Sequence, residues 1–241
     1  MSYHDLKKST CEAVRAQPLT RIHGRPSYRK KEILKKECKK TAVELKVDYP
    51  WSGSYGLLPL IIGAERMAVE HPDLDPFVMP ERPPNTPPDL ANNAGNQAVR
   101  LAVADNEAKK RDYAIIQGFI KGTRDNIKDA LDLEYYEDLE HVEHGYDNVT
   151  PLDFITHLET EHCPCDEQAV KECRDHYFRG WQRNNGAKTE NLIKFAKRLD
   201  EEQAALQLNG ITIANEEKKQ HYLLQCYKSG VFPHSVPRKW K

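Results

Sequence analysis

The chain has 241 residues, of which 30% are charged, 8% are aromatic and only 12 are glycine, a balance that favours a helical globular protein over a β-sandwich or barrel. The net charge is −1, but the charges are unevenly distributed along the chain. Residues 1–46 hold thirteen basic and five acidic residues, a net charge of +8. Residues 125–175 hold three basic and sixteen acidic residues (−13), and residues 176–241 hold twelve basic and six acidic residues (+6). Such blocks favour an anionic partner or head-to-tail contact between copies, and an uneven solvated surface is the alternative.

No targeting or membrane segment is predicted. Residues 1–8 lack the apolar core of a signal peptide, and the longest apolar patch, residues 57–62, is too short to span a bilayer and contains Pro59. We therefore expect a cytoplasmic protein with no membrane partner. The six cysteines are too sparse for a disulfide scaffold, so reduced thiols are expected.

A basic amphipathic helix is predicted over about residues 28–46, with Ser27 as its cap. One face carries apolar and small side chains at spacings of three and four, namely Leu34, Cys38, Thr41 and Leu45. The opposite face is predicted to carry six lysines: Lys30, Lys31, Lys35, Lys36, Lys39 and Lys40. Because these like charges repel one another, the face must contact solvent or an anion. A partly disordered basic leader is the alternative.

Seven prolines between residues 72 and 88 exclude a helix there, and we predict a loop of polyproline II character inside the first domain. A long helix is predicted over residues 89–121, ended by Gly122, and a second over about 124–139. The polar connector at 141–148 is predicted to separate two domains.

Four further helices are predicted at residues 151–161, about 167–177, 190–208 and 216–229. Their predicted N-caps are Thr150, Asp166, Thr189 and Asn215, and their stop signals include Asn209-Gly210 and Gly230. The last helix is predicted to face inward with Tyr222, Leu223, Cys226 and Tyr227. No alternating strand pattern of useful length occurs, so the predicted fold class is all-α.

Several short patterns follow one another between residues 50 and 240. They are Gly53-Ser54-Tyr55-Gly56-Leu57-Leu58, Ile127-Lys128-Asp129-Ala130-Leu131 with Tyr135-Tyr136, Gly145 to Leu158, Lys194 to Gln203, Gly210-Ile211-Thr212-Ile213 and Tyr227 to Phe232. In this order they resemble the Gag polyprotein of copia-type LTR retrotransposons. The resemblance implies two small helical, capsid-like domains in a protein that assembles with copies of itself into a virus-like shell and packages RNA.

The expected organisation is a basic, partly helical N-terminal extension (1–46), an N-terminal capsid-like domain with the Pro-rich loop (47–140) and a C-terminal capsid-like domain (145–241). RNA binding is assigned to the six lysines of the basic helix, and Arg238-Lys239-Trp240-Lys241 is the competing site. A nucleic-acid-binding or adaptor protein, derived from a captured Gag domain that no longer assembles, is the alternative. Whether the chain is a full product or part of a longer polyprotein stays open.

No enzymatic activity, cofactor or small-molecule substrate is expected, because the sequence lacks the aspartic-protease triplet, the phosphate-binding loop and the His-Glu-x-x-His zinc motif. Zinc binding by Cys163, Cys165, Cys173 and His176 is one alternative, and buried thiols are the other. A hydrolase using His141 with His144 and His157 with His162 is disfavoured, since residues five apart point to different faces of an α-helix.

Overall fold

The computed structural model describes residues 2–24, 26–84, 96–163, 167–180, 191–208 and 212–228. The chain divides into two compact units, residues 1–163 and 164–241. The described residues are mostly helical and contain no β-strand, only an isolated bridge between His141 and Gly145. The predicted all-α class is thus confirmed for these ranges, in which no helix is long and apolar enough to cross a membrane.

The α-helices of the first unit are α1 (Tyr3–Arg15), α2 (Tyr28–Glu44), α3 (Pro59–Ile62), α4 (Ala64–Glu70), α5 (Asn96–Ala130) and α6 (Pro151–His157). Short 3-10 helices follow α5 at Leu133–Tyr135 and Glu137–Leu139, and a π-helix continues α6 at Leu158–His162. The described helices of the second unit are α7 (Glu167–Tyr177), α8 (Leu192–Leu208) and α9 (Asn215–Lys228).

Helix α5 is the central element of the first unit, and α1 lies directly against it. The contact is made at Gly118 and Gly122, one turn apart. A Cβ atom on Gly118 would lie 2.6 Å from the carbonyl oxygen of Lys7, and one on Gly122 would lie 2.9 Å from that of Cys11. Only glycine therefore permits this distance between the two backbones.

The predicted end of the long helix at Gly122 is wrong, because α5 continues to Ala130. Glycine weakens an isolated helix by about 0.5–1 kcal/mol, but here the packing of α1 offsets that cost. The helix predicted over 124–139 is consequently the last part of α5, and the chain leaves it in two 3-10 turns. The predicted start, at residues 89–95, lies outside the described residues.

Helix α1 was not predicted, and it makes the N-terminal residues part of the first unit rather than an extension. Ser2 and Asp5 form a capping box at its start. At its end, the side-chain amide of Asn126 on α5 donates to the carbonyl oxygens of Val14 and Gln17 at 2.9 and 3.1 Å. These bonds satisfy carbonyl groups that a helix end otherwise leaves unpaired.

Gly56 closes the C-terminal end of α2. Its φ is +57°, and a Cβ atom there would lie 2.3 Å from the carbonyl oxygen of Leu45 and 2.7 Å from that of Ala42. The next residue, Leu57, donates its backbone N–H to Ala42 at 2.9 Å and is fully buried. The pattern at residues 53–58 is thus a turn that caps one helix and leads the chain into the core.

The Pro-rich segment has no helix or strand over residues 72–84, as predicted, and it packs on the first unit. The ring of Phe77 meets that of Trp51 edge-on, with 4.9 Å between centroids. Leu74 is also packed against the core. Pro87 and Pro88 lie outside the described residues.

The connector at 141–148 does not separate two units. Arg124 of α5 is buried and donates to the carbonyl oxygens of Tyr146 and Asp147 at 2.6 and 2.9 Å. These bonds fix the connector to the central helix. Residues 145–163, assigned from the sequence to a C-terminal domain, therefore belong to the first unit.

The predicted cap of α6 is confirmed. The Thr150 hydroxyl accepts from the backbone N–H of Asp153 at 3.2 Å, and the Asp153 carboxylate accepts from the backbone N–H of Thr150 at 2.7 Å. The helix and the π-helix after it bury Phe154, Ile155 and Leu158 in the core of the first unit. This burial explains why the segment folds with the residues before it.

In the second unit, α7, α8 and α9 begin and end close to the predicted residues. Phe195 and Leu206 of α8 are fully buried. Asn191 supplies a cap for α8, since its side-chain oxygen accepts from the backbone N–H of Lys194 at 2.8 Å. The predicted signals at Asp166, Thr189, Asn209-Gly210 and Gly230 lie outside the described residues.

The predicted inward face of α9 is shifted. Cys226 is buried as expected, but Leu223 and Tyr227 are 38% and 40% exposed, and His221 and Gln225 are buried instead. The ring of His221 lies among aromatic rings of α7 and α8 and the residue after α7, namely Tyr177, Phe195 and Phe178. Burial, with the nearby charge of Arg198, lowers the pKa of His221, so a neutral ring fills this aromatic site.

Replacement of both Gly118 and Gly122 by alanine is expected to lower the free energy of unfolding by about 2 kcal/mol. The new methyl groups would overlap backbone atoms of α1, and overpacking costs about 1–3 kcal/mol per site, more than the gain in helix propensity. Urea unfolding followed by circular dichroism measures the change. Lys121→Ala, at an exposed position of α5, is the control, and a double variant as stable as the parent would contradict the packing argument.

Candidate nucleic-acid interface

The six lysines predicted to bind RNA do not share one face of α2. Relative to the buried Leu34, Lys31 and Lys35 lie about 60° and 100° around the helix, whereas Lys36 and Lys40 lie about 200° and 240° around it. The structure accordingly buries the first two and exposes the other two. The remaining members are half-buried: Lys30 and Lys39.

Lys31 and Lys35 bind the same carboxylate. Oε1 of Glu159, in the π-helix, lies 3.3 Å from Nζ of Lys31 and 2.7 Å from Nζ of Lys35. The Lys31 ammonium also lies 3.0 Å from a carboxylate oxygen of Glu32 and 4.2 Å from the ring centroid of Tyr28. Two adjacent buried cations are tolerated here because carboxylates and a ring face compensate their charge.

The charge of Glu159 is held by the two lysines. Burial by itself raises the pKa of this carboxyl, but the hydrogen bond from Lys35 and the charges of Lys31 and Lys35 outweigh it and leave the pKa below its ordinary value. Glu159 is therefore ionised at neutral pH. The three residues join α2 to the π-helix, so Lys31 and Lys35 serve the fold and do not face solvent.

The half-buried lysines also have local neighbours. Nζ of Lys30 donates to the carbonyl oxygen of His23 at 2.8 Å. Burial lowers the pKa of Lys39, and the nearby charge of Arg66 acts in the same direction. Both side chains lie at the flanks of α2 rather than at its outermost face.

An outer basic face of α2 is formed by Arg29, Lys36 and Lys40, all exposed and within about 40° of one another around the helix. Arg29 was not among the predicted residues, although its position two turns before Lys36 was visible in the sequence. The neighbouring carboxylate of Glu37 is hydrogen-bonded to another residue of the first unit. It accepts from the backbone N–H and the hydroxyl of Thr20 at 2.8 and 2.6 Å.

The acidic block is partly compensated within the first unit. Besides Glu159, Asp129 lies 3.3 Å from the guanidinium of Arg15, and Asp132 lies 3.9 Å from that of Arg21. Other carboxylates between α5 and α6 are exposed and form what we call the acidic surface: Glu134, Glu137, Asp138, Glu140 and Glu143. The first unit thus displays both an acidic surface and an outer basic face.

The π-helix brings His157 and His162 together, contrary to the prediction that they face apart. The backbone N–H of Cys163 donates to the carbonyl oxygen of Leu158, five residues earlier, at 2.7 Å. In such a turn residues five apart lie on one face, and the two imidazole rings are 5.1 Å apart. Both Nε2 atoms are buried and have no hydrogen-bond partner among the described residues.

Of the four residues in the zinc alternative, the structure describes the side chains of Cys163 and His176. Cys163 is buried in the first unit, whereas Nδ1 of His176, in the second, lies 2.9 Å from a carboxylate oxygen of Glu202. Cys165 and the side chain of Cys173 lie outside the described part of the chain. Within that part, no group of three or more His, Cys, Asp and Glu side chains is placed to hold a metal ion.

The competing RNA site at residues 238–241 also lies outside the described residues. Comparison with protein-family models, curated proteins and solved structures gives no significant match.

Replacement of Lys31 and Lys35 by glutamine is expected to lower the free energy of unfolding by about 1–3 kcal/mol, because the Glu159 carboxylate would lose its partners. The matched variant K36Q/K40Q, at exposed positions, should change it by less than about 0.5 kcal/mol. Urea unfolding at neutral pH measures both.

The loss of unfolding free energy caused by K31Q/K35Q should become smaller as the pH falls below 4.5, the ordinary pKa of glutamate. A carboxyl whose pKa is depressed by folding stabilises the protein above its unfolded pKa and ceases to do so as it is protonated. Equal stability of the two lysine variants at neutral pH would contradict the structural role of Lys31 and Lys35.

Proposed function

We propose that the chain is a capsid protein of the copia Gag type, which associates with copies of itself into a shell and encloses RNA. The role is structural rather than enzymatic. The ordered sequence patterns between residues 50 and 240 support this proposal, and so does the helical character of the described residues.

Residues of the resembling patterns hold important contacts of the fold. Gly56 closes α2, the carbonyl oxygen of Tyr146 accepts from Arg124, and Thr150 caps α6 with Asp153. Sequence patterns that reflect a shared fold are expected at such positions, because a substitution there lowers the stability of the protein. The resemblance therefore includes residues that stabilise the fold, and it is more than a similarity of surface composition.

The observation that carries the proposal is the presence of two exposed surfaces of opposite charge on one unit. The acidic surface lies between α5 and α6, and the outer basic face lies on α2. A net charge of −1 gives little long-range repulsion between copies, so local attraction between unlike surfaces can act. A heterologous contact of this kind extends into rings or filaments, and a shell needs at least one further, different contact per subunit.

We expect self-association that rises with protein concentration and weakens with salt, because attraction between exposed charges is screened over about 10 Å at 0.1 M ionic strength. Light scattering at low and moderate salt measures the association, and negative-stain microscopy with and without RNA distinguishes shells from smaller oligomers. The variant E137Q/D138N/E140Q should associate less than the parent.

The control for that experiment is D73N/D75N/E81Q, which removes the same number of charges at exposed positions of the Pro-rich segment. It should associate like the parent. A protein that is strictly monomeric at every concentration and salt would favour the alternative, a nucleic-acid-binding or adaptor protein derived from a captured Gag domain.

RNA should bind the outer basic face through its phosphates, with little sequence preference, since lysines contact phosphate as point charges. K36Q/K40Q should flatten the dependence of log affinity on log salt by about 1.4, from roughly 0.7 per phosphate contact on single strands. Fluorescence anisotropy with a labelled single strand across salt concentrations measures the slope. K8Q/K121Q, at exposed positions on α1 and α5, is the matched control.

The assignment to α2 would be overturned by a specific pair of results. These are parental binding by K36Q/K40Q together with loss of binding on deletion of residues 238–241. K31Q/K35Q should keep the parental slope wherever it remains folded, because those lysines bind Glu159.

A further inference from the structure

A second group of cations, on elements other than α2, lies in the first unit at a pocket of about 240 Å³. Three segments distant in sequence meet there: the start of α1, the Pro-rich segment and the middle of α5. The lining residues are Tyr3, His4, Arg82, Pro83, Lys110 and Tyr113. Pockets for drug-sized ligands measure about 300–1,000 Å³, so this one fits a small group such as one base with its phosphate.

The pocket presents aromatic rings. Those of Tyr3 and Tyr113 are 6.2 Å apart and nearly parallel, at 19°, and the ring of His4 meets that of Tyr3 edge-on at 5.5 Å. Both tyrosines are only half-buried, so ring surface remains open. Burial, together with the neighbouring Tyr113, raises the pKa of Tyr3, so its phenol is neutral and can donate a hydrogen bond.

The described residues that line the same pocket include two cations and no carboxylate. Arg82 is exposed and Lys110 is half-buried. Arg82 can bind a phosphate through two parallel N–H donors, and Lys110 through a point charge. Asp5, the acid nearest in sequence to His4, is engaged in the cap of α1, where its carboxylate accepts from the Ser2 hydroxyl at 2.7 Å.

We propose that this pocket binds one nucleotide of a single-stranded RNA, with the base on the tyrosine rings and the phosphate on Arg82 and Lys110. Stacking on aromatic side chains next to a cationic track is how single strands are held without sequence readout. The choice of RNA as the ligand rests on the proposed function. The shared chemistry, a planar base that carries a phosphate, follows from the lining residues alone.

The pocket and the outer basic face differ in what they recognise. Lysines on α2 contact phosphates of any strand, including a duplex, whereas the pocket needs an unpaired base. Tyr113 therefore selects single strands, and its loss should weaken their binding with little change in the salt slope.

The test uses the full-length chain and labelled oligouridylate, a duplex RNA of the same length, and uridine monophosphate as competitor. Tyr113→Leu and Arg82→Gln are each expected to weaken oligouridylate binding about fivefold or more and to leave duplex binding unchanged. Ultraviolet crosslinking of the oligouridylate followed by mass spectrometry should identify peptides containing Tyr3 or Tyr113. Uridine monophosphate should compete weakly, because a strand adds phosphate contacts on α2.

Tyr55→Leu and Arg21→Gln are matched controls, the first at a half-buried ring and the second at an exposed guanidinium. They should bind oligouridylate like the parent. Urea unfolding verifies that each variant is folded, and Arg82→Gln keeps the test decisive even if Tyr113→Leu is destabilised, since Arg82 is exposed.

Parental oligouridylate affinity in both Tyr113→Leu and Arg82→Gln would overturn the pocket. Tight binding of uridine monophosphate that these variants abolish, with strand binding unaffected, would overturn RNA as its ligand. Neither result contradicts the proposed capsid function if light scattering still shows self-association of the parent protein. A parent that neither associates nor binds any RNA would refute the proposed function itself.

Discussion

The close approach of α1 to α5 is the contact on which the first unit depends. Gly118 and Gly122 let the two backbones meet, and only at that distance can the Asn126 amide reach the last carbonyls of α1. Two residues before Asn126, Arg124 holds the connector that leads to α6. One helix thus brings together the N-terminal residues and the segment around residue 146. Larger side chains at the two glycines would separate α1 from α5 and remove its cap.

Local signals in the sequence predicted much of this fold. Ser27 and Thr150 begin their helices because a capping side chain acts on backbone groups within three residues. Gly122 was interpreted as a helix end because the compensating contact comes from α1, more than a hundred positions earlier. The two compact units divide after residue 163 rather than at residues 141–148 for a similar reason, since the burial of Phe154 depends on partners outside its own segment.

The candidate site was predicted in part. The spacing of Leu34 and Cys38 correctly identified the buried face of α2, but the partner of Lys31 and Lys35 is a glutamate 124 positions from Lys35. Basic and acidic residues of the two segments therefore pair partly within one molecule. The net charge of a segment is for this reason larger than the charge that the segment exposes to solvent. No local pattern points to the aromatic pocket, because its described lining residues come from three separate segments.

The α1–α5 contact also sets an order of events during synthesis. Val14 is bonded by Asn126, 112 positions later, and translation proceeds at about 5–20 residues per second. For a time on the order of 10 s, the apolar face of α1 has left the ribosome while its partner helix does not yet exist. The first unit therefore completes its core late, and a nascent chain cannot present the finished surfaces of that unit to its neighbours until α5 has emerged.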